Sequence, residues 1–300
     1  MSPQRAAPLL VVGAAVLWGT SGAAQELGPP ELTFPSVAGS RVLLGGTLLV
    51  VVVGVLRGWD RVGAVLRDAR GPAALASVAM AGFQLGYFGG IRFTGVAVGT
   101  LVAIGSAPVT AGVIDLLRGR PPGLRWLVAT LLTLTGAALL LVPGQGAGVR
   151  PAGVALALGA GVAYASYAVA SKGMLEQGVD STAAMAVPFL GASVVLVPLA
   201  LAGDLAWMAT PRGVTVIAWL SVMTIAVGYT LFALGLRRLE ASRVTTLTLA
   251  EPLTAALVAV VVLDERLVGP ALVGAVLMGV GLVIGGQGRR APTDRGAAVR

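Results

Sequence analysis

GVAVGTLVAIGSAPVTAGVIDLL at residues 95–117 and SRVTTLTLAEPLTAALVAVVVL at residues 242–263 decide how this chain is built. Each is an apolar, small-residue run with a proline near its middle, Pro108 in one and Pro252 in the other, and each precedes another run of membrane length. Aligned on these prolines, an offset of 144 also pairs Ala97 with Ala241 and Thr110 with Thr254. An offset of 146 pairs Trp18 with Tyr164 and Ser21 with Tyr167 near the start of each half. The chain reads as two copies of one unit. Matched, interrupted helices in the two halves of a membrane protein point to a transporter's midplane site.

Composition sets the solvent. Of 300 residues, 56% are hydrophobic and 11% charged, against roughly 25% charged in soluble domains. Ten runs of about 20 residues, each long enough to cross a hydrocarbon core, fall near 8–25, 36–56, 72–92, 95–117, 124–142, 151–172, 181–202, 213–236, 242–263 and 268–286. Backbone groups in lipid must be bonded internally and no period-2 pattern indicates a barrel, so the expected fold is all-α and polytopic, with ten transmembrane helices. The first run lacks a small-residue cleavage site and reads as retained. With no cysteine and no histidine, disulfides, thiolate or His-ligated metal sites and a histidine proton relay are excluded. The sequence calls for no cofactor and no metal.

The net charge of +8 is distributed as a topology signal rather than a nucleic-acid footprint. With the N-terminus inside, the inner face holds Arg5; Arg57, Arg61, Arg67 and Arg70; Arg118, Arg120 and Arg125; Lys172; Arg237, Arg238 and Arg243; and Arg289, Arg290, Arg295 and Arg300. The outer face holds Arg92, Arg150, Arg212 and Arg266, so sixteen cations oppose four. That bias predicts a multi-pass inner (plasma) membrane protein with both termini cytoplasmic. The loop after helix two carries four arginines, while its counterpart after helix seven carries Arg212 alone. The loop after helix three carries only Arg92, whereas the one after helix eight carries Arg237, Arg238 and Arg243. The cations follow the inner face and not the repeat, so the second five-helix unit enters upside down. The expected organisation is a first repeat at 1–146, an inverted repeat at 147–286 and a disordered cytoplasmic tail at 287–300. The stretch at 57–71 is expected to be a basic loop.

Certain side chains suit a binding cleft. Trp18, Ser21 and Gln25 share a face of helix one, and Tyr164, Tyr167 and Ser171 repeat that spacing on helix six. Aromatic area with hydrogen-bonding tips fits a small amphipathic molecule; interfacial anchoring or packing is the bland alternative. On helix three, Gly82, Gly86 and Gly90 form a packing seam, flanked by the cavity candidates Phe83, Gln84 and Tyr87 and by Phe88. Tyr229 and Phe232 occupy the similar region of helix eight. Pro108 and Pro252 deprive the carbonyls of Ile104 and Thr248 of their helical partners. Ser106, Thr110, Thr248 and Thr254 stand near to repair the gap, and Ser106 and Thr248 join the candidate substrate contacts. Glu251 is the sharpest single residue, because a lone carboxylate inside a span costs roughly 3 kcal/mol or more to insert. It reads either as a neutral acid bonded to a hydroxyl or as a proton-coupling group. Arg41 would pair with it, bind an anionic group or snorkel to the outer surface, with snorkelling preferred. Asp115 and Lys172 are expected to be solvated at the cytoplasmic ends.

With these residues in place, the chain resembles the drug/metabolite transporter superfamily, specifically its ten-helix exporters with two EamA-type repeats. The resemblance spans about residues 8–286 and rests on Trp18-Gly19, Arg41, Ala241-Ser242, Glu251-Pro252 and Leu263-Asp264-Glu265-Arg266-Leu267. The first copy departs from the pattern: Gly119-Arg120-Pro121-Pro122 replaces the acidic turn, and Ser106-Ala107 precedes its proline. The resemblance implies export of amino acids or related metabolites through a central cavity lined by helices one, three, four, six, eight and nine. The aromatic stripes are similar to those of YddG-type exporters of aromatic amino acids.

The expected partners are a small-molecule substrate and the lipid bilayer, with no nucleic acid and an open oligomeric state. The leading expectation is an exporter of small neutral or zwitterionic metabolites, with a multidrug exporter of cations as the alternative. Sugar phosphates would need several cations at membrane depth, where Arg41 stands alone. An intramembrane enzyme lacks histidine, cysteine and any nucleophile–base motif, and a non-transporting scaffold would not require matched prolines or a buried acid.

Overall fold

A computed structural model describes residues 3–141, 150–262 and 269–287. All regular elements among these residues are helical. Among the described residues, nine helices have the length and apolarity to cross a membrane: Ala6–Glu26, Phe34–Arg57, Arg70–Thr94, Val98–Leu117, Leu124–Leu141, Pro151–Glu176, Ala183–Leu201, Pro211–Leu236 and Ala241–Val262. The apolar helix Pro270–Gly286 is the tenth and shortest. They are spans one to ten below. The tail from 288 and the motif at 263–267 lie outside the described residues.

Span one packs on spans eight and nine, and span six packs on spans three and four. Span two lies against span seven, and span five against span ten. Exchanging each span for the one five places later leaves this set of pairings unchanged, which is the mark of a pseudo-two-fold axis. An odd number of spans per unit inserts the second unit upside down, so the axis lies in the membrane plane.

Small residues set the close approaches. A Cβ added at Gly86 would meet the Leu156 carbonyl oxygen at 2.8 Å, and one at Gly90 would meet Ala157 at 2.9 Å, so the seam expected on span three faces span six. Gly136 and Gly274 do the same for spans five and ten. Without a hydrophobic drive between helices in lipid, backbone-to-backbone packing of this kind supplies the association. Gly95, at φ 83°, turns span three directly into span four.

The stretch read as a basic loop contains a helix, Trp59–Asp68, entered through Gly58 at φ 98°. Val65 is buried while Arg61 and Arg67 are exposed. Its apolar side packs onto spans two, three and seven, and that side was masked in the sequence by the density of arginine.

The two proline-bearing spans differ. Span four runs unbroken through Pro108. Span nine stops at Leu247 and restarts at Ala250, just before Pro252. The Thr248 carbonyl, expected to be freed, accepts the Glu251 amide at 3.0 Å in a tightened turn. Thr110 and Thr254, partners in the repeat, donate to the carbonyls of Ser106 and Ala250 at 3.0 and 2.9 Å. The Thr248 carbonyl is thus re-bonded by an amide, as membrane depth demands, while the two threonine hydroxyls bond carbonyls four residues back and not the ones the prolines free.

Candidate functional site

A cavity of about 270 Å³ lies between the two repeats. Its deep wall includes Trp18, Tyr164, Phe189, Tyr229 and Glu251, and its lining continues to Gln25, Phe34 and Val96 at the ends of spans one, two and four. Those three residues sit on the face that the arginine count makes the outer one. Trp18, Ser21, Phe83, Gln84, Tyr87, Tyr164, Tyr229 and Glu251 are all brought together here.

The aromatic walls obey the repeat. Trp18 sits 4.7 Å from Tyr229, and Tyr164 sits 5.2 Å from Phe83, centroid to centroid. Both pairs are related by the offset of 146 found in the sequence. Within the second repeat, Phe189 contacts Tyr229 at 4.5 Å and extends that wall. Tilted and edge arrangements of this kind are the favourable ones for aromatic quadrupoles. At the same end as Gln25, Phe34 and Val96, Tyr87 shares a 3.0 Å hydrogen bond with Thr100.

Three candidates fall elsewhere, and each for a packing reason. Tyr167 is fully buried behind Tyr164, donating to the Met185 sulfur at 3.0 Å and stacking on Phe232. Ser106 points into span six, where its hydroxyl occupies the space that a side chain at Gly161 would need. Thr248 is buried and donates back to the Thr245 carbonyl at 2.9 Å. The Tyr164 hydroxyl is buried beside Thr248 without making a hydrogen bond among the described residues.

The structure also brings in residues that periodicity passed over. Span eight is a π-helix over Leu220–Val227, and the Trp18 indole N–H donates to the Thr224 carbonyl in it at 2.8 Å. A π stretch shifts the ladder by one residue and offers carbonyls outward, and such stretches concentrate at functional sites. Arg41, expected to snorkel, instead lines the cavity and donates from Nη2 to Gln84 Oε1 at 3.4 Å. Glu251 lines the same cavity, and no ion pair joins the two among the described residues. Span two buries the side that carries Val42, Leu49 and Val53 against its neighbours, and Arg41 lies one position round from Val42 at the edge of that side.

The other end is closed by Leu236, Val244 and Leu247, all fully buried. Charged contacts join the repeats there. Arg57 pairs with Asp180 at 2.7 Å and Arg120 with Glu176 at 2.7 Å, and Asp115 accepts the Ser242 amide at 3.1 Å. Asp115 and Lys172 are therefore buried, not solvated: Lys172 donates to the carbonyls of Leu236 and Arg237 at the end of span eight. A cation there meets the negative end of the helix dipole. Burial alone would raise the Asp180 carboxyl, but the amides of Ala183 and Thr182 and the Arg57 guanidinium outweigh it and hold it below the ordinary value.

Inverted five-helix halves around a mainly apolar, aromatic cavity, closed at one end, define a membrane transporter of the inverted-repeat class. The chain matches the EamA-like transporter family at residues 5–142 and again at 151–285, and it belongs to that family. It is 37% identical over 278 residues to the protein named "Uncharacterized transporter YwfM" of Bacillus subtilis (strain 168), with 92% of each chain covered. A protein of known crystal structure shares the fold with a TM-score of 0.79 at 19% identity, over 93% of this chain and 96% of that one.

Proposed function

We propose that this transporter exports small neutral or zwitterionic metabolites, amino acids including aromatic ones foremost, across the inner membrane by alternating access. The observation that carries the reading is the cavity's charge balance: one carboxyl and one guanidinium, not ion-paired among the described residues, within aromatic walls. A zwitterionic ligand, with no net charge but one charge of each sign, leaves neither group uncompensated in low dielectric. The volume of about 270 Å³ lies near the lower end of small-molecule sites, roughly 300–1,000 Å³, which suits a metabolite. The aromatic lining supports the similarity to YddG-type exporters.

Trp18, Ser21, Phe83, Gln84, Tyr87, Tyr164, Tyr229 and Glu251 form the proposed contact surface. The units at 1–146 and 147–286 rock about it, and Pro108 and Pro252 act as the flexible points. With both termini cytoplasmic, as the arginine bias supports, the cavity faces outward in this conformer. A multidrug exporter of cations is the less favoured reading, since Arg41 would repel a cation in the same cavity.

Counterflow in proteoliposomes tests the reading across amino acids, cationic drugs and sugar phosphates, with and without a pH gradient. Exchange of neutral amino acids is the expected result. Exchange confined to cationic drugs or to sugar phosphates would overturn it.

A further inference from the structure

Arg41 stands two turns into span two, at a depth where a guanidinium requires partners. Its single hydrogen bond among the described residues is the 3.4 Å contact to Gln84 Oε1, at the long limit for such bonds. Its Nε is buried and has no partner among those residues. The side chain therefore holds much of its five-donor fork in reserve, in a cavity wall, without an acid at ion-pair distance among the described residues. A guanidinium edge of this kind matches a planar carboxylate through two parallel hydrogen bonds.

Glu251 lines the same cavity from span nine, so the acid belongs to the second repeat and the base to the first. Gln84 accepts from Arg41 and in doing so limits rotation of the guanidinium plane. A ligand with a carboxylate at one end of a short backbone and an ammonium at the other would neutralise both groups and span the two repeats. A ligand with only one of those charges would leave the opposite protein group buried and unpaired when the cavity closes.

Building on the proposed zwitterion reading, we propose that Arg41 is the carboxylate-binding residue of the cavity, with Gln84 positioning its guanidinium and Glu251 receiving the ammonium. The ligand class is then narrower than neutral metabolites: an amino acid with both groups free. The side chain of that amino acid would rest on the Phe83–Tyr164 and Trp18–Tyr229 walls.

The test uses the full-length protein in lipid nanodiscs. Binding is measured for L-phenylalanine, its methyl ester, which lacks the carboxylate, and 3-phenylpropionate, which lacks the ammonium. Wild type is expected to favour phenylalanine over the ester by tenfold or more. Arg41→Gln should bind the two equally, and Arg41→Lys should recover only part of the preference because an ammonium lacks the fork. Gln84→Glu supplies an internal carboxylate to Arg41 and should abolish phenylalanine binding, which keeps the proposal testable if Arg41→Gln does not fold. Unchanged affinity and preference in folded Arg41→Gln, or in Gln84→Glu, would overturn the assignment while leaving the zwitterion reading intact. Wild type that binds none of the three compounds would instead overturn the cavity reading, and the assignment with it.

Discussion

Replacing Trp18 by phenylalanine keeps an aromatic ring against Tyr229 and removes one N–H. That N–H donates to the Thr224 carbonyl at 2.8 Å inside the π-helical part of span eight. Removing that N–H deletes a buried hydrogen bond between the two spans, worth about 0.5–1.5 kcal/mol net. A second substitution reaches the same bond from the other side. A Cβ at Gly228 would stand 2.8 Å from Trp18 Nε1 and 3.3 Å from the Met223 carbonyl oxygen, so Gly228→Ala must push the indole off its acceptor. Overpacking of this type costs about 1–3 kcal/mol by itself. Because both changes disable one hydrogen bond, the double variant should be less destabilised than the sum, with a coupling of about 0.5–3 kcal/mol. Unfolding of the full chain in mixed micelles, titrated with SDS for all four species, measures it. Additivity to within about 0.3–0.5 kcal/mol would refute the view that the indole N–H, and not the ring alone, ties span one to span eight.

Four further outcomes follow from the geometry. Tyr87→Ala and Tyr164→Ala should reduce counterflow more than they reduce the yield of folded protein, since stacked contacts are worth about 0.5–1.5 kcal/mol beyond the buried area; unchanged transport in both would place the rings outside the substrate path. Glu251→Gln should erase any preference for phenylalanine over N-acetylphenylalanine in nanodisc binding, and a preserved preference would move the ammonium elsewhere. Gly136→Ala places a methyl 2.5 Å from the Gly274 carbonyl oxygen and should cost about 1–3 kcal/mol in the same SDS assay, with no change of substrate preference. The Asp180 carboxyl is held below its ordinary value in the folded protein, so its contribution is complete above the carboxylate range and is lost as pH falls through the lowered folded value. The stability gap between wild type and Asp180→Asn should thus be constant from about pH 8 to 5 and close below about pH 4. A gap that widened on acidification would reverse the sign of that linkage.

The sequence by itself determined the solvent, the helices and the inversion. Those features are local: a run of about 20 apolar residues has to form a helix in lipid whatever surrounds it, and arginines partition between the two faces loop by loop. The offset of 146 carried the pairing of Trp18 with Tyr164, and it is the same offset that relates their ring partners Tyr229 and Phe83 in space. Only the tertiary structure decided which side chains on those helices reach the cavity. Tyr164 and Tyr167 share a stripe, yet one lines the cavity and the other lies behind it against Met185 and Phe232. Ser106 went to a seam because Gly161 on span six leaves room for its hydroxyl. Arg41 turned inward, and Asp115 and Lys172 found buried backbone partners on other helices. Periodicity defines a face, but the neighbour that face meets depends on how each helix is rotated and how deeply its neighbours approach, and glycines more than 50 residues away in the chain set that distance.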